Sequence, residues 1–231
     1  MKIKYAIFII ILLNIFSEEF PGIDVSKYQK EIDWTTVSQN NHFAIIRAGY
    51  GFGHIDEYFE SNYQKAKAVG VKVGAYWYSY AASASDAVQE ANYMLQALKG
   101  KQFEWPIYYD IEEKSIFEAN IASVIAKAFC QVLEANKYYC GIYSSTNTFN
   151  NYFDDEVKQK YTIWLAHWNV EKPTYKGKYH DYIDVTDVIK KAGCQFIDTD
   201  TSRVYVKLDG SGNDYGNVVV RCRLKIPYLY Y

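Results

Sequence analysis

The sequence predicts an α/β fold with a mainly parallel, barrel-like sheet in a single domain. Short apolar runs alternate with helical patterns along most of the chain, which is typical of βα units. The chain has 231 residues, a length that an α/β barrel fills as one unit. Hydrophobic residues make up 49% of the chain and charged residues 23%, so the chain has enough apolar surface to bury a sizeable core.

The N-terminal segment has the pattern of a secretory signal. Lys2 and Lys4 precede an apolar run over residues 5–16, which is shorter than the roughly 20 residues of a membrane-spanning helix. We therefore predict a signal peptide over residues 1–17 and a single domain over residues 18–231. The expected location is outside the cell or in the lumen of a lysosomal or phagosomal vesicle, with no stable membrane association after cleavage. An uncleaved anchor is the alternative.

The apolar runs that follow predict six strands of the parallel sheet. They cover residues 22–26, 43–50, 71–80, 105–112, 139–145 and 162–168. Helical patterns lie between most of them, at residues 34–40, 57–69, 87–98 and 121–133. Ser83 and Asp86 form a capping box before the third helix, while Gly70 and Gly100 end the second and the third.

The C-terminal part is predicted to be antiparallel. The strand pattern weakens after residue 168 and returns at residues 194–197. An antiparallel hairpin is then expected between Val204 and Val220, because the Asp-Gly step at residues 209–210 is a strong turn signal.

Acidic residues stand at the ends of two predicted strands. Asp110 and Glu112 lie two positions apart and so share one face of the strand that ends there. Asp24 ends the first strand and points to the same barrel mouth, where barrel enzymes place catalytic groups. Glycoside hydrolysis needs one protonated carboxyl and a second acidic group, and clustered carboxylates raise at least one pKa. Glu112 is the candidate proton donor; the alternative is a solvated strand end.

An ordered set of motifs in this chain resembles glycoside hydrolase family 25. The set consists of residues 22–26 with Gln29, and of residues 32–34, 43–48, 74–76 and 109–112. The resemblance spans residues 21–168 and implies an irregular, TIM-like (β/α) barrel. It implies a lysozyme of the Chalaropsis type, which hydrolyses the β-1,4 bond between N-acetylmuramic acid and N-acetylglucosamine in bacterial peptidoglycan. No metal and no cofactor are expected.

Site residues carried over by position follow from this resemblance. Glu112 is implied to be the proton donor, with Asp110 and Asp24 beside the scissile sugar. In one version of the mechanism Asp110 orients the acetamido group of the substrate, whose oxygen attacks the anomeric carbon, so that no enzyme nucleophile is needed. The spacing of the acids fits retention and inversion equally well.

Further residues fall at positions similar to those lining the family's cleft. They are Tyr76, Tyr78, Tyr143, Trp168 and Gln195. Stacking on sugars is the expected role of the aromatic ones, although a ring on a strand can equally be a packing residue. Asp214 resembles a late acidic position of the family, with Asp209 as a competing alignment and a turn role open for both. The family's final Trp-Gln-Tyr motif reads Cys-Gln-Phe at residues 194–196.

Charge and cysteine content restrict the remaining choices. The formal net charge of −2 becomes more negative once Lys2 and Lys4 are removed, which argues against a nucleic-acid partner. The four histidines are scattered without metal-ligand spacing. Four cysteines predict two disulfides; among the three possible pairings, Cys130–Cys140 and Cys194–Cys222 close the shortest loops.

The predicted partner is bacterial peptidoglycan, and the predicted assembly is a monomer. The altered motif at residues 194–196 keeps one alternative open, a glycan-binding protein that retains the cleft without cleaving. A chitinase-like barrel is the other alternative. Its strand motif Asp-x-x-Asp-x-Asp-x-Glu is absent around Asp110.

Overall fold

The computed structural model describes residues 19–166 and the short strands at residues 181–183, 195–196, 206–207 and 220–225. Residues 1–17 of the predicted signal, Trp168 and Asp214 lie outside the described residues, as does the side chain of Gln195. Within the described part of the chain, no helix is long and apolar enough to span a membrane.

Strands and helices alternate along the described chain. The strands are β1 (Glu19–Val25), β2 (Phe43–Tyr50), β3 (His54–Ile55), β4 (Lys72–Tyr78), β5 (Ile107–Asp110), β6 (Cys140–Ser145), β7 (Thr162–Ala166), β8 (Asp181–Ile183), β9 (Gln195–Phe196), β10 (Val206–Lys207) and β11 (Val220–Lys225). The helices are α1 (Trp34–Ser38), α2 (Phe59–Ala68), α3 (Ala84–Leu98), α4 (Lys114–Glu118), α5 (Ala122–Ala135), α6 (Thr146–Tyr152) and α7 (Asp155–Lys160).

The main sheet follows the order β1, β2, β4, β5, β6, β7, β8, with every neighbouring pair parallel. β11 lies between β8 and β1 and is antiparallel to both, so the described strands form a closed ring. β3 extends the sheet beside the end of β2. The predicted α/β fold with a curled, mainly parallel sheet is therefore confirmed.

The predicted hairpin between Val204 and Val220 is not supported. β10 pairs with β9 rather than with β11, and β11 pairs with β1 and β8. The turn signal at residues 209–210, itself outside the described residues, favours a hairpin only locally. The facing edges of β1 and β8 require a partner for their backbone groups, and β11 provides one.

Helix boundaries follow the local signals in the sequence. The Ser83 hydroxyl accepts a hydrogen bond from the Asp86 backbone N–H at 3.1 Å, and the Asp86 carboxylate accepts one from the Ala82 N–H at 3.0 Å. Gly70 and Gly100 follow α2 and α3 with φ of +79° and +76°, a region that favours glycine. The predicted N-cap at Ser83 and both helix ends are confirmed, whereas the Asp86 carboxylate binds the Ala82 N–H and not the Ser83 N–H that a capping box requires.

Alternation along the strands divides the apolar residues into two sets. Ile46, Trp77 and Tyr109 belong to the core that packs beneath the helices. The opposite face of the sheet lines the barrel interior, where Phe43 and Tyr108 are fully buried. Facing them are glycines: a Cβ atom on Gly22 would lie 2.1 Å from the Phe43 ring, and one on Gly141 would lie 2.5 Å from the Tyr108 ring. Small and large residues thus alternate to fill the interior.

Candidate active site at the carboxyl edge of the sheet

The three acids predicted from the sequence lie at the carboxyl edge of the parallel sheet. Asp24 stands one residue before the end of β1, and Asp110 is the last residue of β5. Asp110 is 5% exposed, whereas Asp24 and Glu112 are half-buried. Because the strands are parallel, their carboxyl ends lie on the same side of the barrel.

Two tyrosines of β4 lie within reach of these acids. Burial raises the pKa of Tyr76 well above 10.0; Arg47 opposes this shift, and the charges of Asp24 and Asp110 add to it. Tyr76 therefore stays protonated and is a hydrogen-bond donor among acids.

Tyr78 lies beside a second group of acids, which consists of Asp110, Glu112 and Glu113. It lies opposite Asp110 in the β4–β5 register, and its hydroxyl donates to Glu113 Oε1 at 2.6 Å. Burial raises the pKa of Tyr78, and the charges of Asp110 and Glu112 and the bond to Glu113 raise it further. The charge of Asp110 therefore raises the pKa of both Tyr76 and Tyr78.

An aromatic cluster in the barrel interior adjoins these tyrosines. The Trp164 ring lies edge-on to Tyr143 at 4.6 Å, to Tyr108 at 5.0 Å and to Tyr76 at 6.3 Å between centroids. Tyr143 is opposite Asp110 in the β5–β6 register. The ring of Tyr143 also packs on Trp164, so the structure brings Tyr76, Tyr78 and Tyr143 together, and their role in binding sugars stays a prediction.

Sequence reasoning missed Trp164, although it lies within a predicted strand. Trp164 Nε1 is a buried donor with no hydrogen-bond partner in the part of the chain that the structure describes. The available signal was alternation: within β7, Trp164 and Ala166 share the interior face, opposite Ile163 and Leu165 of the outer core.

Sequence reasoning also missed a buried ion pair beside the site. Arg47 Nε and Asp56 Oδ2 are 2.7 Å apart, and both side chains are almost fully buried. Asp56 also accepts hydrogen bonds from the Lys27 N–H at 2.9 Å and the Tyr58 N–H at 3.0 Å. Arg47 lies opposite Tyr76 in the β2–β4 register. A charged residue inside the apolar strand at residues 43–50 was the available signal.

Possible metal ligands and the cysteines are the remaining features of the described residues. No group of three or more metal-ligating side chains occurs among the described residues. Cys130 and Cys140 are buried free thiols, with their sulfur atoms 2.7 Å apart. Their disulfide therefore stays a prediction, as does the one between Cys194 and Cys222, whose side chains lie outside the described residues.

Comparison with known proteins gives a match to one family. The family model described as glycosyl hydrolases family 25 matches residues 23–190. An uncharacterized protein of Escherichia coli (strain K12), YegX, is 30% identical over 168 residues, which cover 68% of this chain and 59% of YegX. Lysozyme M1 of Streptomyces globisporus is 27% identical over 166 residues, covering 66% of this chain and 56% of that protein. The chain thus spans under two thirds of these relatives.

Solved structures agree at the level of the fold. A family 25 glycosyl hydrolase from Bacillus anthracis superposes with a TM-score of 0.64 at 20% identity, covering 91% of this chain and 90% of that one. The bacterial lysozyme of Streptomyces coelicolor gives a TM-score of 0.63 at 21% identity, covering 90% of this chain and 92% of that one. The architecture described above is therefore that of these proteins.

Proposed function

The chain belongs to glycosyl hydrolases family 25, and from this premise we propose that it is a secreted lysozyme. Its substrate is bacterial peptidoglycan, and the bond it hydrolyses is the β-1,4 bond between N-acetylmuramic acid and N-acetylglucosamine. The proposal includes removal of residues 1–17 as a signal peptide. The enzyme then acts as a monomer outside the cell or in a vesicle lumen.

One observation supports this function above the others. Asp24 lies near the end of β1, Asp110 ends β5 and Glu112 lies two residues beyond it, so the three acids stand at one edge of the barrel, where their charges raise the pKa of Tyr76 and Tyr78. A solvated strand end would leave its acids exposed, whereas Asp110 is 5% exposed. Acids that are grouped beside protonated donors and partly removed from solvent suit a reaction that develops charge on a sugar.

In the proposed mechanism Glu112 is the proton donor. A general acid has to hold its proton until the glycosidic bond breaks. Glu112 gives that proton to the glycosidic oxygen as the bond from this oxygen to the anomeric carbon breaks. The substrate's acetamido oxygen, an enzyme carboxylate or a water molecule attacks the anomeric carbon; in the first two routes a water molecule, which gives a proton to the Glu112 carboxylate, then completes the hydrolysis, and in the third a second carboxylate takes the proton of the water. Asp110 and Asp24 stabilise the positive charge that develops on the sugar.

Tyr76, Tyr78 and Tyr143 have a binding role in this proposal. Trp168, Gln195 and Asp214 are included on the family resemblance, since their side chains lie outside the described residues. The aromatic side chains hold the sugar rings by stacking, and their polar tips hydrogen-bond to hydroxyl or acetamido groups.

The test is hydrolysis of purified peptidoglycan by the parent chain and by Glu112→Gln from about pH 4 to about pH 8, followed as released reducing sugar. We expect the variant to lose activity by a factor of about 10² or more, the effect of removing a general acid. Glu118→Gln is the matched control, because Glu118 is 64% exposed on α4; it should retain parental activity.

Two outcomes would contradict the proposal. Activity that survives in Glu112→Gln would show that another group donates the proton. If the parent chain binds cell walls but releases no reducing sugar, the chain is a glycan-binding protein on this fold. The altered motif at residues 194–196 would then be the first place to look for the cause.

A further inference from the structure

Exposed apolar side chains are concentrated at the same edge of the barrel as the acids. In the part of the chain that the structure describes, nine large apolar side chains are exposed to solvent. Four of these nine, Tyr28, Phe52, Ile55 and Tyr80, lie on or beside the segments that follow β1, β2 and β4. An exposed apolar patch on a soluble domain commonly marks a binding surface.

Two tyrosines of this patch, together with the half-buried Tyr50 beside them, lead away from the acids, and we call Tyr28, Tyr50 and Tyr80 the aromatic ledge. The Tyr80 ring contacts Tyr78 at 5.2 Å between centroids and Tyr50 at 6.4 Å. Tyr78 in turn lies opposite Asp110. The aromatic ledge is therefore continuous with the candidate active site.

The ledge is held in place before any ligand binds. Gly51 turns the chain with φ of +52°, and a Cβ atom there would lie 3.0 Å from the Tyr80 ring. The Tyr50 ring stacks on His54 at 5.1 Å. The rings of Tyr50 and Tyr80 thus pack against neighbouring residues, while Tyr28 and Tyr80 remain 47% and 45% exposed. Rigid exposed rings bind with little loss of side-chain entropy.

Positive charge is present at the end of the ledge that Tyr28 and Tyr50 form. Lys27 Nζ lies 5.9 Å from the Tyr28 ring and 5.6 Å from the Tyr50 ring. The Arg47 guanidinium lies 5.1 Å and 5.4 Å from the same rings. Asp56 compensates Arg47, so Lys27 supplies the charge that a ligand would meet. This end suits a carboxylate, unlike the acidic end near Asp110.

We propose that the aromatic ledge is an additional subsite that holds a further sugar of the same glycan strand. The apolar face of a pyranose stacks on the exposed rings, and a carboxylate carried by the strand or its stem peptide pairs with Lys27. The inference rests on the proposed function, because the strand is taken to run on from the site of cleavage. A second copy of this chain, or a protein partner, is the alternative occupant.

The test compares cleavage of long and short substrates. The probes are purified peptidoglycan strands of about eight or more sugars and a tetrasaccharide of the same repeat. For Tyr28→Ala and Tyr80→Ala, we expect kcat/KM on long strands to fall about tenfold more than on the tetrasaccharide, the size of a lost stacking contact. Tyr139→Ala is the control, because Tyr139 is 61% exposed and precedes β6 at the opposite edge of the sheet.

The charge is tested separately with Lys27→Gln. Its loss of kcat/KM should be larger on strands that carry stem peptides than on strands stripped of them by an amidase. Equal losses on the two would overturn the role of Lys27. An equal loss on long and short strands for both tyrosine variants, or the same length-dependent loss in Tyr139→Ala, would overturn the ledge itself.

Failure of the ledge is distinguishable from failure of the proposed function. If the parent chain cleaves both substrates and the ledge variants show no length dependence, the function stands and the ledge is wrong. If the parent chain cleaves neither substrate, the function is wrong, and the ledge is tested by co-sedimentation with long strands. Weaker binding of Tyr80→Ala than of Tyr139→Ala then supports the ledge, whereas equal binding overturns it.

Discussion

The side chain of Glu90 illustrates how single residues behind the barrel support its catalytic edge. Glu90 is fully buried on α3. Its Oε2 accepts a hydrogen bond from the Tyr109 hydroxyl at 2.6 Å, and its Oε1 accepts one from the Tyr80 N–H at 2.9 Å. Ser79 donates to the same Tyr109 hydroxyl at 2.8 Å. This network joins the ends of β4 and β5, which carry Tyr78 and Asp110.

Burial disfavours the charged form of the Glu90 carboxyl group. Desolvation raises its pKa above the ordinary 4.5, although hydrogen bonds from Tyr109, Tyr80 and Ser79 oppose the shift. Between the ordinary and the raised pKa, folded chains hold a proton that unfolded chains have released. The free energy of unfolding therefore falls as the pH rises through this window.

Glu90→Gln removes this pH-dependent penalty while keeping the shape of the side chain. We expect the stability of the variant relative to the parent to increase as the pH rises above 4.5, and to be constant at lower pH. Urea denaturation across that range measures it, with the exposed Glu118→Gln as control. Parallel stability curves for parent and Glu90→Gln would contradict the raised pKa.

At the scale of the elements, the β1–β2 pair depends on one small residue facing one large residue. Gly22 and Phe43 are partners in the parallel register, and a Cβ atom on Gly22 would lie 2.1 Å from the Phe43 ring. The first strand can therefore approach the second only because this position has no side chain. Asp24 lies two residues further along the same strand and face, so this packing sets its height in the barrel.

Gly22→Ala should overpack the barrel interior and destabilise the chain by about 1–3 kcal/mol. Phe43→Leu alone should be destabilising too, because it leaves space in the interior. The double variant should be destabilised by less than the sum of the single changes, because the added methyl group of Gly22→Ala occupies the space that Phe43→Leu leaves. Urea denaturation of the four proteins in the cycle measures this coupling. Strict additivity would show that the strand pair relaxes in another way.

At the scale of the whole molecule, one late strand completes the barrel. β11 pairs with β1 over six residues and with β8 over three. The matched family region ends at residue 190, before this strand begins. Closure of the barrel therefore depends on a segment beyond that region.

A chain that ends at residue 219 lacks β11 and leaves the edges of β1 and β8 unpaired. We expect it to lose the cooperative thermal transition and to aggregate, because unpaired strand edges associate with other chains. Circular dichroism and size-exclusion chromatography measure both effects. A chain that ends at residue 225 keeps the whole of β11 and is the control. A cooperative, monomeric 219-residue chain would show that the barrel folds without closure.

Much of the fold follows from local patterns in the sequence. The strands at residues 43–50 and 139–145 and the caps of α3 were predicted because alternation and capping depend on neighbours along the chain. Short helices such as α6 and α7 were missed, although their N-caps were present: Ser145 accepts from the Thr148 N–H and Asp154 from the Val157 N–H. Helices of six or seven residues contain too few turns to show a clear period.

In the candidate site, too, some features were readable from the sequence and others depended on the tertiary structure. The sequence by itself singled out Asp24, Asp110 and Glu112 as candidate acids, because acids at strand ends and an ordered set of motifs are readable along the chain. Only the tertiary structure decided that Arg47 pairs with Asp56 and that Trp164 packs on Tyr76 and Tyr143. It also decided that the aromatic ledge adjoins Tyr78, and that β11 rather than β10 closes the barrel. These are contacts between segments far apart in sequence, and their partners are chosen by packing and backbone pairing in three dimensions, which no local period encodes.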